Sequence, residues 1–82
     1  MSETAIPLFV PDIGDADKIE LVSWNIHEGD SVMKDQELCE LVTDKAAFPL
    51  ESPFNGEIIK ILKLSGETVK VGETLALIEQ AG

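Results

Sequence analysis

The 82-residue sequence has no arginine, one cysteine and one histidine, and it lacks any long apolar run. With Cys39 alone, no internal disulfide is possible, and a reducing compartment fits this composition. The absence of arginine argues against a phosphate-binding pocket. No segment is apolar enough to span a membrane, and residues 1–4 are acidic, so a signal or transit peptide is not expected there.

The residues that most enzymatic sites need are also scarce. A Ser-His-Asp or Cys-His site would depend on His27, which is expected at a surface turn, while Cys39 lies in an apolar stretch typical of a core. One histidine and one cysteine argue against a metal site. The acids stand singly at turns, which leaves paired catalytic carboxylates open but favours a solvated face. We therefore expect a non-catalytic domain with no bound metal.

The charge balance is strongly acidic. Sixteen acidic residues against six lysines give a net charge of -10. Such a surface repels nucleic acid phosphates and anionic lipids, so neither a nucleic acid nor a membrane is expected as a partner. The charge favours solubility, and it also suits a protein partner with a basic docking face.

Short β-prone stretches, separated by Gly, Asp, Asn and Pro, make up one domain with a small core and no deep active-site cleft. No window predicts a helix. Residues 1–79 are expected to form the domain, and residues 80–82 the start of a linker or the cut end of a fragment. The predicted strands cover residues 6–10, 20–26, 31–33, 38–43, 46–51, 56–64, 68–71 and 74–78.

The two halves of the chain resemble each other at a shift of 37 positions, which places Gly29 on Gly66. This repeat predicts an all-β fold: a flattened barrel or sandwich of two four-stranded antiparallel sheets with quasi-two-fold symmetry. Alternation in residues 20–26 sets Val22, Trp24 and Ile26 on one face, and Trp24 is expected to pack in the core. The predicted shared core consists of the pairs Val22/Ile59, Val32/Val69, Leu38/Leu75 and Leu41/Ile78.

Lys45 lies where the two repeats join, in the sequence Thr43-Asp44-Lys45-Ala46. Asp44 favours a tight turn between two β-prone stretches, so the lysine is predicted at an exposed hairpin tip. An exposed amine is a poor catalyst because nothing lowers its pKa, but another enzyme can reach it and acylate it. An ordinary solvated turn lysine would carry the same dipeptide. The position at the junction of a duplicated unit favours a modification site.

An ordered set of motifs runs through nearly the whole chain: residues 10–14 (VPDIG), 29–32 (GDSV), 40–46 (ELVTDKA), 52–56 (SPFNG) and 66–72 (GETVKVG). This set resembles the lipoyl domain of the 2-oxo acid dehydrogenase complexes, within the biotinyl/lipoyl carrier family. The resemblance implies lipoate in amide linkage on Lys45. It also implies that Asp44 and Ala46 fix the tip for a lipoate ligase or a lipoyl/octanoyl transferase.

The resemblance further implies a non-catalytic swinging-arm carrier within a dihydrolipoyllysine-residue acyltransferase. A thiamine-dependent 2-oxo acid decarboxylase would load the arm with an acyl group. The acyltransferase core would pass that group to coenzyme A, and dihydrolipoyl dehydrogenase would reoxidise the arm. The implied location is the bacterial cytoplasm, or the mitochondrial matrix for a fragment of a processed eukaryotic chain, and the isolated domain is expected to be a monomer.

Partner recognition is expected from Thr43 and from the loop that carries Asp12, Asp15 and Asp17, which should lie near the hairpin in this fold. Two features depart from the family pattern. Val42 stands where an acid is frequent, and Phe48-Pro49 stands where an aliphatic residue and Glu are frequent. Because proline cannot donate a ladder hydrogen bond, Pro49 predicts an edge strand or a bulge.

Two alternatives share the predicted fold. A biotin carrier has its lysine flanked by methionines, whereas Asp44 and Ala46 flank Lys45, and the pair Met33-Lys34 precedes a different turn. An unmodified docking domain would use its acidic surface to bind a partner. Replacing Lys45 by Arg distinguishes a lipoyl carrier from these alternatives, because the substitution should preserve folding and abolish any lipoyl incorporation.

Overall fold

The computed structural model describes residues 5–12 and 18–81. These residues form eight strands and no helix, so the predicted all-β class is confirmed. The last strand continues two residues beyond its predicted end, the fifth strand ends where predicted, and the other six strands end one to three residues earlier than predicted. The strands are β1 (Ala5–Phe9), β2 (Ile19–Trp24), β3 (Ser31–Val32), β4 (Glu37–Val42), β5 (Ala47–Glu51), β6 (Gly56–Ile61), β7 (Thr68–Val69) and β8 (Thr74–Gln80).

The strands of the described residues pair into two four-stranded antiparallel sheets, in the orders β1-β8-β6-β3 and β5-β4-β2-β7. The two orders superimpose when β1 to β4 are exchanged with β5 to β8, as the predicted quasi-two-fold symmetry requires. β3 and β6 come from different halves of the chain, and so do β2 and β7. The duplicated halves are therefore interleaved, and neither half makes a complete sheet alone.

The edge strands β1 and β5 extend the repeat, with the sequences AIPLF and AFPLE. Pro7 and Pro49 occupy the same position in these two strands, and each strand lies at the edge of its sheet. The edge position predicted for Pro49 is confirmed. An edge tolerates proline because one side of the strand has no ladder to join, and proline there also discourages pairing with another chain.

Buried apolar side chains form two clusters among the described residues, and the predicted core is largely confirmed. Val32/Val69, Leu38/Leu75 and Leu41/Ile78 are all buried. The first cluster contains Leu8, Ile26, Val32, Leu38, Ile58, Ala76 and Ile78. The second cluster contains Val10, Ile19, Leu21, Cys39, Leu41, Val69 and Leu75.

The predicted core pair Val22/Ile59 is wrong. Val22 is 39% exposed and Ile59 is 41% exposed, while the preceding residues Leu21 and Ile58 are completely buried. In β2 the ladder register shifts immediately after Leu21, and in β6 it shifts immediately after Ile58. A β-bulge inserts one unpaired residue and changes which face the following side chains occupy. Strict alternation therefore fails at the same place in both repeats.

Trp24 follows the first bulge and packs against both clusters, as predicted, with its side chain half-buried. Its indole Nε1–H donates a hydrogen bond to the carbonyl oxygen of Lys63 at 2.8 Å. An aromatic ring with a satisfied polar atom suits this position between the clusters. Trp24 thus connects the first repeat to the segment that follows β6 in the second repeat.

Gly29 and Gly66 both have a φ of +93°, a conformation that glycine adopts readily. The Gly29 N–H donates to the carbonyl of Ile58 at 2.7 Å, and the Gly66 N–H donates to the carbonyl of Leu21 at 2.6 Å. Each glycine turn is therefore fastened to the bulged strand of the other repeat. These reciprocal bonds place the two halves in one fixed arrangement.

Candidate functional site: the hairpin between β4 and β5

The connection between β4 and β5 is a tight turn made by residues 43–46. The last ladder pair is Val42 with Ala47, and the Thr43 N–H donates to the Ala46 carbonyl at 2.8 Å. Asp44, Lys45 and Ala46 are exposed. The structure thus places Lys45 at the tip of a hairpin, with Asp44 and Ala46 on either side.

The Thr43 side chain folds back into this turn. Its Oγ1 accepts the N–H groups of Lys45 at 3.1 Å and of Ala46 at 3.2 Å, and it lies 3.3 Å from the Ala46 carbonyl, to which the hydroxyl donates. Threonine and serine hydroxyls commonly make such bonds to the backbone two or three residues ahead. These hydroxyl bonds were not predicted from the sequence Thr-Asp-Lys-Ala, and the partner-recognition role predicted for Thr43 stays a prediction.

The Lys45 side chain has no ion pair within the described part of the chain. Lys63 shows the contrasting case, with its Nζ 2.8 Å from a carboxylate oxygen of Glu73. The hydrogen bond between these two groups raises the pKa of the Lys63 ammonium and lowers the pKa of the Glu73 carboxyl. Among the described residues, the hydrogen bonds that place Lys45 therefore involve its backbone, and its side chain is exposed.

A shallow cleft beside the tip is lined by Glu20, Val42, Thr43, Asp44 and Lys18. Lys18, the first described residue after the 12–17 loop, thus lies beside the hairpin. Asp12 is exposed. The predicted recognition residues Asp15 and Asp17 lie outside the described residues.

The tip lies at the opposite end of the molecule from the last residues of β8. β4 passes from Leu38 in the first cluster to Leu41 in the second, and then reaches the tip. β8 passes in the reverse sense, from Leu75 in the second cluster to Ile78 in the first. The hairpin tip therefore follows the second cluster, and the end of β8 follows the first.

The remaining reactive side chains do not gather at the tip. Cys39 is completely buried, and desolvation, with a smaller contribution from the Glu37 charge, raises the pKa of its thiol to about 12. His27 is exposed at a turn, with its Nδ1 3.7 Å from a carboxylate oxygen of Asp30. Within residues 5–12 and 18–81, no three His, Cys, Asp or Glu side chains converge as a metal site would require. The same residues contain no helix that could cross a membrane.

Residues 7–78 match the family model described as "Biotin-requiring enzyme". The chain belongs to this biotinyl/lipoyl carrier family. The match spans both repeats and includes the hairpin of residues 43–46. The chain is a carrier domain and not an enzyme by itself.

Characterised relatives of this carrier domain are acyltransferase components. It is 40% identical over 74 residues to the lipoamide acyltransferase component of the branched-chain alpha-keto acid dehydrogenase complex of Pseudomonas aeruginosa, covering 89% of this chain and 17% of the relative. It is 36% identical over 76 residues to the succinyltransferase component of the 2-oxoglutarate dehydrogenase complex of Rickettsia bellii, covering 92% and 19%. The chain thus spans less than a fifth of the length of these relatives.

The solution structure of the lipoyl domain of the 2-oxoglutarate dehydrogenase complex from Azotobacter vinelandii has the same fold. The TM-score is 0.80 at 26% identity, and the comparison covers 95% of this chain and all of the other. The carrier domain described here is therefore a lipoyl-type domain, as its motifs predicted.

Proposed function

We propose that this domain carries lipoate in amide linkage on Lys45 and serves as the swinging arm of a 2-oxo acid dehydrogenase complex. The observation that carries the proposal is the single ammonium at a solvent-facing hairpin tip, without an ion pair in the described residues. A modifying enzyme can reach such a group from several directions. The acyltransferase relatives and the lipoyl-domain neighbour support lipoate as the attached group.

Attachment joins Lys45 Nζ to the carboxyl carbon of an activated acyl group, which a lipoate ligase or a lipoyl/octanoyl transferase presents. The ammonium first loses one proton to become a nucleophilic amine. The new C–N bond then forms as the activating group leaves, and the nitrogen loses a second proton to give the neutral amide. The positive charge of Lys45 disappears, so the formal net charge changes from -10 to -11, that is, -10 minus 1. An exposed amine suits this chemistry because no internal contact has to break.

When bound, lipoate supplies a disulfide that takes up two electrons and an acyl group from the decarboxylase, delivers the acyl group to coenzyme A at the acyltransferase core, and is reoxidised through dihydrolipoyl dehydrogenase. The protein supplies the attachment point, and the lysine side chain adds to the length of the arm. Lysine plus an eight-carbon acid gives an arm on the order of 10–15 Å from bond lengths of about 1.5 Å. Because Lys45 is exposed at the tip of a hairpin, the arm enters a partner's site while both sheets stay outside.

We expect the decarboxylase to bind the protein surface around the hairpin tip. Asp44 lies beside Lys45, and the cleft next to the hairpin brings in Glu20 and Lys18. Asp12 is exposed in the described part of the neighbouring loop. We propose that partner recognition involves Thr43 and the loop residues Asp12, Asp15 and Asp17, in the cytoplasm of a bacterium or in the mitochondrial matrix.

Intact mass spectrometry of the domain made in lipoate-replete cells tests the proposal. The wild-type chain and Lys34→Arg should both gain one lipoyl mass, and Lys45→Arg should gain none. Lys34 is the matched control because its turn is fastened to the body of the domain, with the Lys34 N–H donating to Asn55 Oδ1 at 2.8 Å. A biotin mass would identify a biotin carrier, and an unmodified wild type would favour an acidic docking domain.

A further inference from the structure

We propose that Thr43 is a positioning residue that orders the hairpin tip and thereby presents Lys45 to the modifying enzyme. This inference rests on the proposed function, since it concerns how that modification is achieved. It assigns the Thr43 hydroxyl to the inside of the turn. The threonine acts through the backbone of Lys45 and touches neither the acyl group nor the reacting nitrogen.

The hydrogen bonds inside the tip carry the argument. One backbone bond closes the turn, from the Thr43 N–H to the Ala46 carbonyl at 2.8 Å. The N–H groups of Lys45 and Ala46 are both accepted by the Thr43 hydroxyl oxygen, at 3.1 and 3.2 Å. Without that oxygen, two of the backbone donors at the tip would be left to water. One side chain therefore fixes the residue that carries the amine.

Several other turns that the structure describes are hydrogen-bonded to other parts of the domain, whereas the bonds of the hairpin tip are local. The turn that contains Asp30 has a side-chain acceptor for the His27 N–H at 2.8 Å, and its Gly29 N–H also bonds the Ile58 carbonyl in the other repeat. At the tip, every hydrogen bond of residues 43–46 in the described structure stays within residues 43–46. The order of the tip thus depends on local bonds, among which those of Thr43 Oγ1 predominate.

The expected consequence lies in substrate recognition. A modifying enzyme has to find the Lys45 backbone in one conformation, and a turn that visits that conformation less frequently has a proportionally weaker apparent affinity. Hydrogen bonds at an exposed turn are modest in net free energy. Losing the two that Thr43 accepts should raise the KM of the domain as a substrate about 3- to 10-fold. The kcat should stay unchanged, because the bound turn is the same.

Three variants and purified lipoate ligase test this, with the unmodified 82-residue domain as substrate. Thr43→Val removes the hydroxyl at constant shape, and Thr43→Ser restores it. Thr68→Val is the matched control, since Thr68 is an exposed threonine in β7. We measure KM and kcat for lipoylation, the melting temperature, and the amide exchange rates of Lys45 and Ala46 by NMR.

Thr43→Val should raise KM about 3- to 10-fold at constant kcat and speed up exchange of both amides, with the melting temperature unchanged. Thr43→Ser and Thr68→Val should match the wild type in every measurement. Wild-type efficiency in Thr43→Val, or an equal defect in Thr43→Ser, would overturn the role of the hydroxyl while leaving the carrier function intact. A wild-type chain that accepts no lipoyl group would overturn the carrier function and this inference with it.

Discussion

The bulge in β2 predicts very different losses of stability when two adjacent aliphatic residues are truncated. Leu21 is completely buried in the second cluster, and Val22 is 39% exposed. Alternation counted back from Trp24 and Ile26 would have placed Val22 in the core, but the bulge after Leu21 shifts the alternation and leaves Val22 outside. Leu21→Ala should therefore be severely destabilising, and Val22→Ala should be nearly neutral.

The magnitudes follow from burial. Truncating a fully buried leucine to alanine costs about 2–5 kcal/mol, because transfer free energy is lost and a cavity remains. The exposed Val22 should cost about 0.5 kcal/mol. A domain of this size has a free energy of unfolding of about 4–12 kcal/mol, so Leu21→Ala removes a large part of it. The melting temperature should fall by about 10–30 °C for Leu21→Ala and by about 2–4 °C for Val22→Ala.

Urea unfolding followed by Trp24 fluorescence measures these differences. Trp24 is the only tryptophan in the sequence and packs against both clusters, so its emission reports global unfolding. An unchanged urea dependence would show that the variants differ in stability alone. The symmetry supplies a second, independent pair, with Ile58→Ala severe and Ile59→Ala mild. Equal costs within either pair, or a reversed order, would refute the assignment of the bulge.

Two further predictions concern single positions. Gly56→Ala should lower the free energy of unfolding by about 2–3 kcal/mol, because an added Cβ would collide with the Glu79 carbonyl of the adjacent strand. Gly66→Ala should lower it by about 1 kcal/mol, because the added Cβ meets open space but the backbone φ is +93°. Urea unfolding measures both values. Equal costs would contradict the close approach at Gly56. Cys39 should make stability fall as pH rises from about 9 to about 12, because the unfolded thiol loses its proton near 9.0 while the folded thiol keeps it up to about 12. Urea unfolding across this range should show a shallower decline for Cys39→Ala, and an identical decline would contradict the burial of the thiol.

The candidate site could be located from the sequence because it depends on local signals. A tight turn between two β-prone stretches, at the junction of a repeat, was enough to place Lys45 at an exposed tip. The hydrogen bonds of the Thr43 hydroxyl within the turn were not predicted, since a threonine hydroxyl can face a partner or fold back onto its own turn, and the residue type does not decide between these. The recognition role of Thr43, Asp12, Asp15 and Asp17 stays a prediction.

The fold was also largely readable, with one informative failure. Val32, Leu38 and Leu41 and their counterparts were correctly placed in the core because the repeat marks positions under the same constraint. Val22 and Ile59 were misplaced because a bulge leaves no simple mark in a sequence of consecutive aliphatic residues. The sequence AIPLF was not matched to AFPLE, since these edge strands repeat at a spacing of 42 instead of 37.

The sequence by itself determined the all-β class, the duplication and the lysine between the repeats, because turn residues and apolar periodicity act over short distances along the chain. Tertiary structure decided which neighbour of each bulge enters the core, since the register of a ladder depends on the partner strand. It also decided that the halves interleave, through reciprocal bonds from Gly29 to Ile58 and from Gly66 to Leu21. Those long-range pairings join the two sheets into the frame from which the hairpin of residues 43–46 projects.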